Sequence, residues 1–267
     1  MQQRTGEEKA PGLGLSKIEF IALAAALMSL NALAIDIMLP GLQQMGASLG
    51  VENENHRQYV ISAYFAGMAL ALLPYGPLSD RYGRRNPLMA GMLIYVVAAI
   101  AAAFMTSFEG VLAMRFLQGI GAASTRVIAV SMVRDRFGGR QMAETMSLIF
   151  MVFMVIPVIA PSVGQIMLLI GGWQFIFFSM GIAGAAIVLW GFLRMPETLA
   201  PEDRRPFTIA SIGSAFAIVL TNRFSLLYTL ASTFVFGALF AFINSAQQVY
   251  VGIYGLGNTF PLVFAVI

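Results

Sequence analysis

An aspartate and two arginines stand inside stretches of this sequence that are otherwise apolar: Asp36, Arg115 and Arg126. A carboxylate in such a setting can act as a proton switch, because burial favours its neutral form and a nearby guanidinium favours the charged one. Asp36 lies about one helical turn from the outer end of its apolar run. Ser29, Ala32 and Leu33 share its helical face. From Arg115, the residues Gln118, Ala122 and Arg126 follow at +3, +7 and +11 and fall within about 60° of one another on a helix. One face thus carries two cations and an amide, with Gly119 and Gly121 beside it to permit close packing. Two guanidiniums at membrane depth require a water-filled cavity or acidic partners. Three simpler roles compete: a static Asp36–Arg115 ion pair, a capping carboxylate just under the headgroups, and an Arg126 that snorkels to the interface.

A second constellation is Gly76-Pro-Leu-Ser-Asp80-Arg81-Tyr-Gly83-Arg84-Arg85, between two apolar runs. Gly76 and Gly83 allow tight backbone paths. Asp80 is positioned to cap a helix or to pair with Arg84, Arg85 or Arg134, and such charge pairs at a membrane face can latch a conformation. A third is Pro157-Val-Ile-Ala160-Pro161-Ser-Val-Gly164, which reads as a bent helix. Asn244, Gln247 and Gln248 either line a polar cavity or mark an interfacial helix end. The chain has no Cys and only His56, so no disulfide, thiolate or zinc set is expected. No phosphate-cradling glycine loop or hydrolase elbow occurs either. No metal, no cofactor and no enzyme activity are expected.

These residues need elements to hold them. The chain has 267 residues, 58% hydrophobic and 11% charged, with a mean hydropathy of +0.79. A soluble domain carries about 25% charged residues. The composition excludes a soluble globular protein, a disordered chain and a nucleic-acid partner. At about 20 residues per crossing the length holds seven or eight membrane spans. Apolar runs lie at Phe20–Leu39, Gln58–Ser79, Pro87–Met105, Val111–Val133, Ala143–Ile170, Trp173–Met195 and Phe224–Val249. Phe207–Leu220 is too short to span and reads as interfacial. An eighth run opens near Thr259 and reaches Ile267, so the chain is expected to end inside a helix. Thirteen of the 16 cations fall in the N-terminal tail and the even loops, against Arg57 alone in the odd ones. That asymmetry places the N-terminus and even loops in the cytoplasm. The expected layout is a cytoplasmic tail (1–17), a six-helix bundle (18–195), a cytoplasmic linker (196–222) and an incomplete second half (223–267).

These motifs resemble those of one family. Gly76–Arg85 matches every defined position of the G-x-x-x-D-[RK]-x-G-[RK]-[RK] signature of the major facilitator superfamily. Leu112–Ala123, with Arg115, Gln118, Gly119 and Gly121, resembles the fourth-helix signature of its proton-linked members. Ala160-Pro161-Ser-Val-Gly164-Gln165 resembles the antiporter signature of the fifth helix, with Ala160 and Gln165 where glycines are usual. Asp36-Ile-Met-Leu-Pro40, Pro157-x-x-Ala-Pro161, Gly172-Trp173 and Pro196-Glu-Thr-Leu199 look like the bicyclomycin-resistance and chloramphenicol-efflux type, although Gln174 replaces the usual Arg. The resemblance implies an all-α, polytopic major-facilitator fold of twelve helices in two halves. This chain supplies the N-terminal six-helix half and the start of the second. Substrate is expected between the halves near the midplane. The resemblance ties Arg115 to proton coupling, Asp36 to proton or substrate binding, and Asp80 to a contact that steadies the outward-open state.

The expectation is a proton-driven exporter of small drug-like compounds in a bacterial inner membrane. Its partners are the lipid bilayer, a small-molecule substrate and protons, and a full-length chain is expected to be a monomer. The faces of the first and fourth spans are expected to line the cavity. The alternatives are a carrier of one metabolite or sugar, and a fragment without transport activity.

Overall fold

The computed structural model describes residues 15–205, 213, 217–256 and 259–266. The tail bearing Arg4 and Lys9, and most of the 207–220 run, lie outside the described residues. Helices account for nearly all of the described residues, and none of these forms a strand.

Helix α1 (Lys17–Asp36) begins at Ser16, whose Oγ accepts the Glu19 N–H at 3.1 Å. The Glu19 carboxylate accepts from Arg194 Nε at 2.7 Å and Nη2 at 2.8 Å. It thereby fastens the first helix to the far end of the bundle's last one. The helix stops at Asp36, although the apolar run continues to Leu39. Pro40 supplies the reason: it has no N–H for the Asp36 carbonyl, and its ring crowds that carbonyl. The chain then passes through a 3-10 turn (Leu39–Gly41) into the short helix α2 (Leu42–Ser48).

Helix α3 (Tyr59–Tyr82) runs past the expected end at Ser79, so most of the Gly76–Arg85 motif is helical. Only Gly83 and Arg84 separate it from α4 (Arg85–Ala102). Helix α5 (Phe108–Arg136) carries Arg115, Gln118 and Arg126. Helix α6 (Gly139–Arg194) has 56 residues, far more than one crossing needs. Its dihedrals leave the helical region at Gly171 (φ −151°, ψ 19°) and Gly172 (φ 70°, ψ −170°). The two arms, 139–170 and 173–194, correspond to the fifth and sixth expected spans. Trp173 is buried at the break, and its Nε1–H donates to Ser48 Oγ at 2.8 Å. Helix α7 (Arg223–Gln247) continues through a π-helical turn (Gln248–Ile253), and α8 (Phe260–Val266) follows.

Helix α5 packs between α3 and α4, while α1 lies against α6 and α5. Apolar helices gain little from leaving lipid, so close backbone approach holds them together. Gly119 sits against the Tyr64 carbonyl and Gly67 against the Phe116 carbonyl, each where a Cβ would collide. The outward surface is apolar: Leu169, Met154 and Leu193 are among its most exposed side chains. Among the described residues, six helices are long and apolar enough to cross a membrane, counting α6 once. The all-α polytopic architecture is therefore present.

Lys17, Arg84, Arg136 and Arg194 gather at one end of the bundle, hereafter the basic face. Arg136 Nη2 donates there to the Leu15 carbonyl at 3.0 Å. Asp36, the Gly171-Gly172 break and the start of α3 lie toward the opposite end.

Candidate functional site

Arg115 is fully enclosed between α1, α3 and α5. Its Nη2 donates to the Ala34 carbonyl at 3.0 Å, its Nε to the Val60 carbonyl at 3.2 Å, and its Nη1 to Gln118 Oε1 at 2.7 Å. The guanidinium also lies 4.5 Å from the Tyr64 ring centroid. Two backbone carbonyls, an amide and an aromatic face therefore solvate it, with no counter-ion among the described residues. The competing static Asp36–Arg115 ion pair is not formed. What joins the two is the α1 backbone, since Arg115 grips Ala34, two residues before Asp36.

Asp36 is 3% exposed, and its Oδ1 is buried without a hydrogen-bond partner. A fully solvent-facing headgroup cap would look different. The carboxyl sits where Pro40 interrupts the helix, beside freed backbone and inside the bundle.

The described polar interior extends beyond the residues picked out by sequence. Asn31 Nδ2 donates to Thr125 Oγ1 at 2.6 Å, and Tyr64 Oη donates to Asn31 Oδ1 at 3.2 Å. All three are buried and link α1, α5 and α3. Asn31 lies five residues from Asp36, off the face that Asp36 shares with Ser29, Ala32 and Leu33. The signal was an amide in an apolar run, which has the same standing as a buried charge.

Asp36, Arg115 and Gln118 are enclosed by helix packing. The glycine contacts between α3 and α5 bring those helices too close to leave space beside Arg115. Arg126 lines an open cavity of about 830 Å³ between α3, α5 and α7. Its guanidinium lies 5.8 Å from the Phe236 ring centroid on α7, so it does not snorkel away from the bundle. Beyond the cavity, α7 is clasped to α3. Gln58 Nε2 donates to Gln248 Oε1 at 2.7 Å, and Gln248 Nε2 donates to Asn55 Oδ1 at 2.6 Å. The Phe65 and Phe240 rings meet at 4.2 Å nearby. Ser62 Oγ donates to Asn244 Oδ1 at 3.5 Å, so Asn244 and Gln248 are both inter-helix contacts; the Gln247 side chain lies outside the described residues.

At the basic face Arg84 is the hub. Its Nη1 bonds Asp80 and, at 2.8 Å, Ser79 Oγ; its Nε bonds Asp135 Oδ2 at 2.8 Å. Burial works against its charge, but Asp135 and Asp80 more than compensate and hold its pKa above the ordinary range. Glu197, from the segment after α6, accepts the N–H groups of Arg84 at 2.8 Å and Arg85 at 3.2 Å. It therefore caps the start of α4. Gly83 adopts φ +86°, and a Cβ there would strike the Glu197 carboxylate. Arg85 Nη2 donates to the Phe192 carbonyl at 2.6 Å. Arg81 is exposed. Gly76 sits inside α3 with open space where a Cβ would project, so no tight path depends on it. Asp135 and Glu197 were not among the expected gating residues.

Pro157 and Pro161 lie within the first arm of α6, whose dihedrals stay helical there. Ala160, Pro161 and Gly164 are buried. Gly164 meets the Ile37 carbonyl, just past the end of α1, where a Cβ would collide. This arm therefore packs directly beside the Asp36 break. Among the described residues, no group of His, Cys, Asp and Glu could hold a metal ion.

Residues 21–267 match the family model described as Major Facilitator Superfamily. The chain is 31% identical to a bicyclomycin resistance protein homolog of Haemophilus influenzae over 89% of its own length and 59% of that protein. It is 31% identical to the multidrug resistance protein MdtL of Shigella dysenteriae over 88% of its length and 59% of that protein. A solved bacterial homolog of the human lysosomal transporter Spinster superposes with a TM-score of 0.75 at 17% identity, covering 96% of this chain and 60% of that one. The chain thus spans about three fifths of the length of these curated relatives.

Proposed function

Because the chain belongs to the major facilitator superfamily of membrane transporters, we propose that it takes part in exporting small drug-like compounds in exchange for protons. The membrane is a bacterial inner membrane, and the basic face lies in the cytoplasm, as the cation asymmetry favours. The observation that carries the coupling is Asp36: a buried carboxyl with an unpartnered oxygen at a proline-broken helix end. A buried carboxyl of this kind is stable when protonated and costly when ionised. Ionisation therefore favours a second conformation that supplies water or a cation. Arg115 is the nearest fixed cation by backbone, and its grip on the Ala34 carbonyl would relay a change at Asp36 into α5. The Arg84–Asp80–Asp135 cluster would hold the cytoplasmic end of the bundle in register during that change. The names of the relatives, bicyclomycin resistance and multidrug resistance, support drugs as cargo.

The test uses everted membrane vesicles carrying the protein, with an internal acid gradient followed by acridine orange. Adding bicyclomycin or chloramphenicol is expected to discharge the gradient, and Asp36→Asn is expected to abolish the discharge. Discharge that persists unchanged in Asp36→Asn would reject the role of Asp36.

A further inference from the structure

The cavity beside Arg126 has a definite chemical bias. At about 830 Å³ it is large enough for a drug-sized molecule. Among its described lining residues Arg126 is the one charged group, and no carboxylate is present. Arg126 itself forms no ion pair or hydrogen bond among the described residues; its recorded contact is the face of Phe236. A guanidinium left unpaired within a span is costly unless a ligand or water meets it.

The hydroxyls on the α7 wall supply acceptors instead. Thr229 donates its proton to the Ser225 carbonyl at 2.8 Å, and Thr233 donates to the Thr229 carbonyl at 2.8 Å. Their oxygens therefore face the cavity as acceptors only, suited to N–H or O–H groups on a ligand. The positive and strongly donating end is Arg126. The remaining wall is aromatic, with Phe65 against Phe240 at 4.2 Å and Phe236 under the guanidinium.

We infer that this cavity binds small aromatic anions, with the anionic group on Arg126 and the ring among Phe65, Phe236 and Phe240. A guanidinium pairs bidentately with a carboxylate or sulfonate. The same charge repels a lipophilic cation. This inference rests on the proposed export role, because it takes the α3–α5–α7 cavity as the cargo site, and it adds aromatic anions to the neutral compounds of the vesicle assay. Asp36 lies outside the cavity, so the two groups have separate tasks: Arg126 selects and Asp36 couples.

The test is equilibrium dialysis of the purified chain in phosphatidylcholine nanodiscs, with no ion gradient, using 2-naphthalenesulfonate and tetraphenylphosphonium as probes. The expected result is saturable binding of the sulfonate, tighter than that of the phosphonium. Arg126→Gln should weaken sulfonate binding about tenfold or more, while Arg126→Lys stays within about threefold. Arg126→Glu should reverse the preference between the two probes, a gain that misfolding cannot produce. The inference is overturned if the phosphonium binds the unaltered chain more tightly, if Arg126→Gln leaves sulfonate binding unchanged, or if neither probe binds saturably. Because no gradient is present, failure of proton coupling in the vesicle assay leaves this result standing, and failure here leaves the coupling role of Asp36 standing.

Discussion

Arg115 and Asp36 are both buried charges in residue type, but their surroundings give them opposite thermodynamic standing. Arg115 uses three N–H donors on Val60, Ala34 and Gln118, a fan that only a planar guanidinium can supply. Arg115→Lys keeps the charge but cannot reach all three acceptors. Its expected cost is about 1.5–3 kcal/mol, read as a lower midpoint of thermal unfolding in detergent. Asp36, by contrast, has an oxygen with no partner, so Asp36→Asn should leave that midpoint unchanged or raise it while removing transport. A clearly lower midpoint would mean that the carboxylate has a structural partner, against its role as a proton switch. Charges in apolar runs made both residues legible in the sequence. Their partners were not, because spacing along one helix fixes which side chains share a face and not which helix that face meets. Asn31 shows the same limit: its importance appears only when Tyr64 and Thr125 arrive from two other helices.

Helix ends followed local chemistry, and this is where the spans read from hydropathy needed the largest adjustment. Apolar composition continues to Leu39, but Pro40 denies the Asp36 carbonyl its hydrogen bond and the helix yields there. Charged residues ended the expected second span at Ser79, yet the helix continues to Tyr82 because Asp80 is satisfied by Arg84 four residues on. The turn after it depends on two fitted parts. Gly83 holds φ +86°, a conformation most side chains resist, and Glu197 occupies the space where its Cβ would lie. Gly83→Val should therefore reduce the yield of folded protein sharply, assayed by the monodisperse peak in size-exclusion chromatography. Glu197→Ala uncovers the Arg84 and Arg85 N–H groups at the start of α4 and should cost about 1 kcal/mol in thermal stability. If Glu197→Ala melts like the unaltered protein, the carboxylate is not the cap. The sequence motif made the loop conspicuous, but Glu197 lies more than 100 residues further on, beyond any local signal.

Across the whole molecule the two ends are fastened by different chemistry. The basic face is held by ion pairs, Arg84 with Asp80 and Asp135 and Arg194 with Glu19. The opposite end is held by amides and rings, with Gln58 and Asn55 on Gln248 and Phe65 on Phe240. Ion pairs with exposed members weaken as salt rises, whereas neutral amide bonds hardly respond. A bundle fastened in this way loosens first at its most exposed ion pair, Arg194 with Glu19, in high salt. The absence of cysteine makes the amide clasp directly testable. With Gln58→Cys and Gln248→Cys combined, a short methanethiosulfonate cross-linker should join α3 to the turn after α7. Its yield should be the same at about 0.1 M and about 1 M salt. A yield that collapses in high salt would show that the clasp is held indirectly, through the distant ion pairs. No cross-link at either concentration would mean that α7 does not rest on α3, and the wall opposite Arg126 would then go with it.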